Sequence, residues 1–142
     1  TMRSFDDETR QQLWKELEAA AGVARALGGD FKLELRKGCP SVYNAPEVTR
    51  VMREVARDLF GDDSLIDEPP GMGGEDFSYM TRKAPGAMFN LGAKLDEVDR
   101  PHHNPKFDLN ESAFKVGAAM LAETTLRLLR EGGQSADAGA IR

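Results

Sequence analysis

Arg100–Ser112 reads RPHHNPKFDLNES and contains both histidines of the chain, His102 and His103. Imidazole titrates near neutrality and is the commonest side-chain metal ligand, so a histidine aimed from a stiff loop can hold a divalent ion or move a proton. Pro101 and Pro105 stiffen the backbone on either side. Adjacent residues cannot share one face of a helix or strand, so the two rings are not expected to act as a pair. A metal centre needs three or four ligands, and an exposed loop histidine is as readily an ordinary surface residue.

A second stretch, Gly71–Phe77 (GMGGEDF), places Glu75 and Asp76 directly after a run of glycines. Glycine lets a backbone turn sharply or approach a ligand. Two carboxylates there suit either a helix start or a polar group facing a cleft, for substrate contact or acid–base work. The Gly-Lys-Ser/Thr of a phosphate loop is missing. Arg3, on a short opening segment, is either a solvated charge or a planar clamp for a carboxylate. Cys39 has no partner motif and reads as an inert thiol. Asp108, Asn110 and Glu111 read as helix-start residues.

These groups need elements to carry them, and the periodicity supplies candidates. Thr1–Phe5 is β-compatible, and Asp6 and Asp7 form an N-cap with acidic residues at the positive end of a helix. Leu13, Leu17, Ala20, Ala24 and Leu27 recur at helical spacing up to Gly28-Gly29. Phe31, Leu33 and Leu35 alternate with charged residues, as a half-buried strand does. Asn44, Pro46 and Glu47 open a helix with Val48, Val51, Met52, Val55 and Leu59 inward and Gly61 as its stop. Short strands are expected at Ser64–Ile66 and Gly86–Gly92, a short helix at Glu75–Arg82, and a long helix from Asn110 to about Arg130. That last helix is expected to turn Phe114, Gly117, Leu121, Thr125 and Leu128 inward. Gly132–Arg142 has the composition of a disordered tail.

At 142 residues, 40% apolar and 30% charged, the chain is of ordinary globular type. Its net charge of −5 and scattered Lys and Arg argue against nucleic acid and against a polybasic membrane patch. No run approaches a membrane span. One cysteine allows no internal disulfide, which favours a cytoplasmic setting.

Taken in order, TMRSFDDETRQQL, GCPSVYNAPEV, MGGEDFSYM, APGAMFNLGA and HNPKFDLNESAFKVGAAMLA resemble the M20 metallopeptidases. The likeness is narrowest to the amidohydrolase branch of hippurate, N-acyl-amino-acid and indole-acetyl-amino-acid hydrolases. It covers about Thr1 to Arg130, and GGEDF together with H-x-P-x-F-D is its specific part. The resemblance implies an α/β enzyme with a two-metal catalytic domain and a βαββαβ lid that often mediates dimer contacts. Residues 1–40 would be the second half of the lid, 41–131 the C-terminal portion of the catalytic domain, and 132–142 a disordered tail.

By the same resemblance His103 is a metal ligand and His102 falls outside the motif. Arg3, Glu75 and Asp76 fall at substrate-binding positions. The implied cofactors are two divalent ions, zinc or manganese, and the implied substrate is a small N-acyl amino acid. The chain departs from the pattern in having no H-x-D, no C-x-H and no Glu-Glu pair. No catalytic residue is therefore assigned, and the base glutamate is expected upstream. The chain is expected to be a C-terminal fragment, inactive alone, that pairs with itself or with the N-terminal portion of the enzyme. A non-catalytic dimerisation or ligand-binding module, or a complementing subunit of a split enzyme, are the other readings.

Overall fold

A computed structural model describes residues 1–95 and 97–139, with side chains described as far as residue 132. The chain divides into two compact units. One comprises Thr1–Asn44 and Glu68–Gly86, and the other comprises Ala45–Asp67 and the chain from Ala87 onward.

The first unit carries three helices: α1 (Asp7–Ala21), α2 (Val23–Ala26) and the short α4 (Phe77–Thr81). Asp6 caps α1 as its sequence position suggests, its carboxylate accepting from the Thr9 backbone N–H at 2.7 Å and from the Thr9 hydroxyl at 2.8 Å. The Thr9 bonds hold the Asp6 carboxyl below its ordinary pKa. The first turn of α1 is also the unit's tie point. Arg82, just past α4, donates to Asp7 at 2.8 Å, and Arg10 donates to the Cys39 carbonyl at 2.7 Å. The Ser41 hydroxyl donates to the Phe5 carbonyl. Arg25 pairs with Asp30 at 3.0 Å and lies over the Phe31 ring at 4.6 Å, folding the chain back after α2.

Polar contacts dominate this unit because its apolar stripe is half-buried at most, at Leu13 and Ala24, and exposed at Leu17, Ala20 and Leu27. No residue of α1 or α2 is buried, and Leu27 is 83% exposed. Arg82 depresses the pKa of Asp7 by hydrogen bonding to its charged form. A carboxylate whose folded pKa is lowered stabilises the fold fully above its unfolded pKa, about 4. That stabilisation is lost as pH falls through the lower folded value. Thermal melts of the wild type should therefore drop in acid more steeply than those of Asp7→Asn, and added salt should narrow the difference.

The second unit holds the core. α3 (Pro46–Phe60) buries Val48, Val51, Met52, Val55 and Ala56 along one side, and Gly61, at φ 87°, ends it. Only glycine adopts that left-handed backbone without strain. Asn44 is not the N-cap; Ala45 is, at φ −62° and ψ 128°. Pro46 fixes the start at itself, because its ring sets helical φ and forces the preceding residue into extended backbone. A 3-10 turn follows at Asp62–Ser64 and takes in the first residue of the strand expected at Ser64–Ile66.

Against α3 packs α5 (Ala113–Gly139). Met120 joins Val51, Val55 and Ala56 in one cluster, and Phe89 and Leu128 lie against both that cluster and the neighbouring one of Ala45, Val48 and Met52. The inward side of α5 differs from the expected one. Ala113, Met120 and Thr124 are buried, whereas Phe114 and Leu121 are 58% and 60% exposed. Gly117 does face inward, against Leu91. Arg127 links the helices by donating to Asp58 at 2.6 Å and to Glu123 at 2.8 Å. The helix also continues past Gly132 to Gly139, into the stretch expected to be disordered; residues 140–142 lie outside the described residues. Two glycines cost a helix about 1 kcal/mol each, which cooperative propagation from a long packed helix can absorb.

Thr124 is 7% exposed, and its hydroxyl has no hydrogen-bond partner among the described residues. A buried hydroxyl left unpaired costs about 1 kcal/mol or more, and valine has nearly its shape. Thr124→Val should raise the unfolding midpoint in urea.

The α/β expectation is met on its helical side alone. Among the described residues no strand forms: Thr1–Phe5, Phe31–Leu35 and Gly86–Gly92 belong to no ladder. Alternation identifies a half-buried side, but a strand exists only where a second strand takes its N–H and C=O groups. The Gly86–Gly92 run does bury apolar surface through Phe89, which packs against the core, while Leu91 lies near Gly117 and stays 38% exposed. No described helix is long and apolar enough to cross a membrane.

Candidate functional site

In the second unit the histidine loop is tied at its base and turned sharply at its tip. Arg100 donates to Asp108 at 2.7 Å across the loop. Asn110 anchors its exit, with its N–H donating to the Ala93 carbonyl at 2.8 Å and its side chain accepting from Ser112 N–H at 3.0 Å. Inside the loop, Asn104 organises a tight turn. Its side chain accepts from Lys106 N–H and its carbonyl from Phe107 N–H, both at 2.9 Å.

The two histidines have separate surroundings in this loop. The His102 ring packs edge-on against Phe107, with centroids 5.1 Å apart and planes at 86°. His103 is exposed and sits at φ 60°, the one non-glycine residue with positive φ among the described residues. A non-glycine residue held there carries about 1–2 kcal/mol of strain, and such residues concentrate at functional sites. Both histidines are exposed; His102 makes the ring contact with Phe107, and His103 occupies the positive-φ position.

In the first unit the structure brings Arg3 to the glycine-rich segment. Its guanidinium lies so close to Gly74 that a Cβ built there would stand 2.7 Å from Nη1. Arg3 is exposed and takes part in no hydrogen bond or ion pair among the described residues. Glu75 and Asp76 are exposed too, and their carboxylates likewise have no partner there. Neither side chain makes a capping bond. Asp76 precedes α4 in helical backbone with no side-chain bond to it, and Glu75 contributes its carbonyl, which accepts from the buried Ser78 hydroxyl. The helix-start reading holds by position, since Asp76 is the N-cap residue of α4, but its side chain makes no capping bond.

Residues 10–127 match the profile of peptidase family M20/M25/M40, which covers most of the chain. The chain belongs to that family. Among curated relatives of this M20 chain, "Putative amidohydrolase YhaA" of Bacillus subtilis is 38% identical over 125 residues, 86% of this chain and 32% of that protein. "IAA-amino acid hydrolase ILR1-like 2" of Arabidopsis thaliana is 30% identical over 136 residues, 92% of this chain and 31% of that protein. An "N-acetyldiaminopimelate deacetylase" of Streptococcus suis is 35% identical over 109 residues, covering 75% and 28%. The M20 chain spans about a third of the length of these curated relatives.

The divalent metals expected of an M20 enzyme find an incomplete donor set. Among the described residues no three His, Cys, Asp or Glu side chains gather as a metal centre requires. His103 is one imidazole, and these residues do not by themselves fit a two-metal site.

Proposed function

We propose that this chain works as part of an M20-type amidohydrolase that cleaves the amide bond of N-acyl amino acids or similar small substrates, in the cytoplasm. The observation that carries this reading is the family match across residues 10–127, which includes both GGEDF and HNPKF. The names of the relatives agree with the bond type: an amidohydrolase, an amino-acid-conjugate hydrolase and a deacetylase.

In this reading His103 offers one ligand to a zinc or manganese centre whose other ligands, and whose base glutamate, lie outside these residues. Arg3 offers its fork of N–H donors to the substrate carboxylate. Glu75 and Asp76 offer acceptors to polar groups of the substrate. Residues 1–40 are assigned to half of a βαββαβ lid and 41–131 to the C-terminal portion of the catalytic domain. The chain's partner is a second copy or the N-terminal portion of the same enzyme.

Release of free amino acid from N-acetyl and N-benzoyl amino acids, with zinc or manganese supplied, tests the proposal. The 142-residue chain alone is expected to be inactive or nearly so, and the enzyme that carries a complete ligand set is expected to turn over. Robust hydrolysis by the chain alone would overturn the incomplete-site reading. No hydrolysis by the complete enzyme would overturn the amidohydrolase reading.

A further inference from the structure

We propose that Gly74 is a positioning residue for Arg3, leaving the space in which its guanidinium stays open to a substrate carboxylate. This rests on the reading of Arg3 as the carboxylate partner given above. A Cβ on Gly74 would stand 2.7 Å from Arg3 Nη1 and 3.8 Å from its Cζ. The first distance is well inside ordinary contact, about 3.5–4.0 Å. A Cβ on Gly73 would meet nothing within 4 Å.

The demand for glycine at 74 is one of space. Left-handed glycines occur at Gly28 and Gly61 among the described residues, and Gly74 is not one of them. An alanine at 74 is therefore compatible with the backbone. The atom it would strike is the far end of a flexible side chain, so the guanidinium swings away and the fold is spared. Arg3 also spends none of its donors on Glu75 or Asp76, although those carboxylates follow Gly74 directly. A guanidinium presents five N–H donors in a fixed fork, and bidentate pairing with a carboxylate depends on its orientation. Gly74 sets that orientation by what it lacks.

The test follows the Arg3 Nε–Hε resonance in the 142-residue chain and titrates it with N-acetylglycine and with the uncharged N-acetylglycinamide. Gly74→Ala should shift the Arg3 resonance and weaken N-acetylglycine about tenfold, the loss expected when a charge-assisted bidentate bond is misaligned. N-acetylglycinamide affinity and melting temperature should hold, and Gly73→Ala should change none of these. Arg3→Gln should abolish the preference for the acid, with Gly74→Ala adding nothing further.

A Gly74→Ala chain whose Arg3 resonance and acid affinity match those of Gly73→Ala overturns the role of Gly74 and leaves that of Arg3 standing. An Arg3→Gln chain that binds N-acetylglycine as tightly as wild type overturns the carboxylate role of Arg3, and the role of Gly74 with it. If Gly74→Ala destabilises the chain, relief by Arg3→Gln supports the steric account. Failure to relieve it shows that the backbone needs glycine there, and the proposal falls.

Discussion

His103→Ala and His103→Gly should abolish hydrolysis equally in the complete enzyme while leaving proteins of different stability. Either substitution removes the imidazole, so the proposed metal ligand is lost in both. The backbone consequences diverge, because His103 sits at φ 60°. Alanine inherits the steric cost of that conformation, and glycine adopts it freely. The His103→Gly protein should be more stable than the His103→Ala protein by about 1 kcal/mol, read from denaturant midpoints. Retained turnover in either variant would remove His103 from the site.

The companion experiment is His102→Ala. Its loss should fall on stability, by about 0.5–1.5 kcal/mol for the aromatic pair with Phe107, with most activity retained. His102→Phe should restore the midpoint by restoring an aromatic edge against Phe107. Equal loss of activity from His102→Ala and His103→Ala would contradict the proposed division of labour between the two histidines.

How much of this was legible in the sequence varies by element, for physical reasons. α3 was readable in nearly all its inward residues because strong apolar side chains at helical spacing lie between a proline start and a glycine stop. The exception was Ala56, which is buried in place of Leu59; Leu59 falls on the stripe at the helix's last turn and is 44% exposed. α5 misled because its buried positions include Ala113 and Thr124, small residues that hydropathy ranks below Phe114 and Leu121, although Gly117 and Leu128 do face inward as expected. The strand readings are unmet among the described residues for a different reason, since alternation says which side is apolar but nothing about what pairs with the backbone. The motif pointed to His103 over His102, but the left-handed turn that presents it depends on the bonds of Asn104. The meeting of Arg3 with Gly74 joins residues far apart in sequence, and no local pattern carries it.

The stripe on α3 leads to the second large effect, because two of its members should respond very unequally. Val55 is 0% exposed and packs with Val51, Ala56 and Met120, with Leu65, Phe89 and Leu128 closing around them. Val55→Ala removes two methyl groups from the contact between α3 and α5 and should cost about 2 kcal/mol, combining lost transfer energy with the cavity left behind. Val55→Asp should be far worse. An unpaired carboxylate in that cluster must either stay charged without solvation or take up a proton, and either costs several kcal/mol against a typical total of about 5–15. Leu59→Ser, one turn on along the same predicted stripe, should change stability by about 0.5 kcal/mol or less. Amide exchange distinguishes these outcomes from a local disturbance. In Val55→Ala the amides of α3 and the packed part of α5 should lose protection together, because one shared cluster holds both helices. If α3 alone loosened, Phe89 and Leu128 would have to hold α5 without it, and the core described here would not be a single cooperative structure.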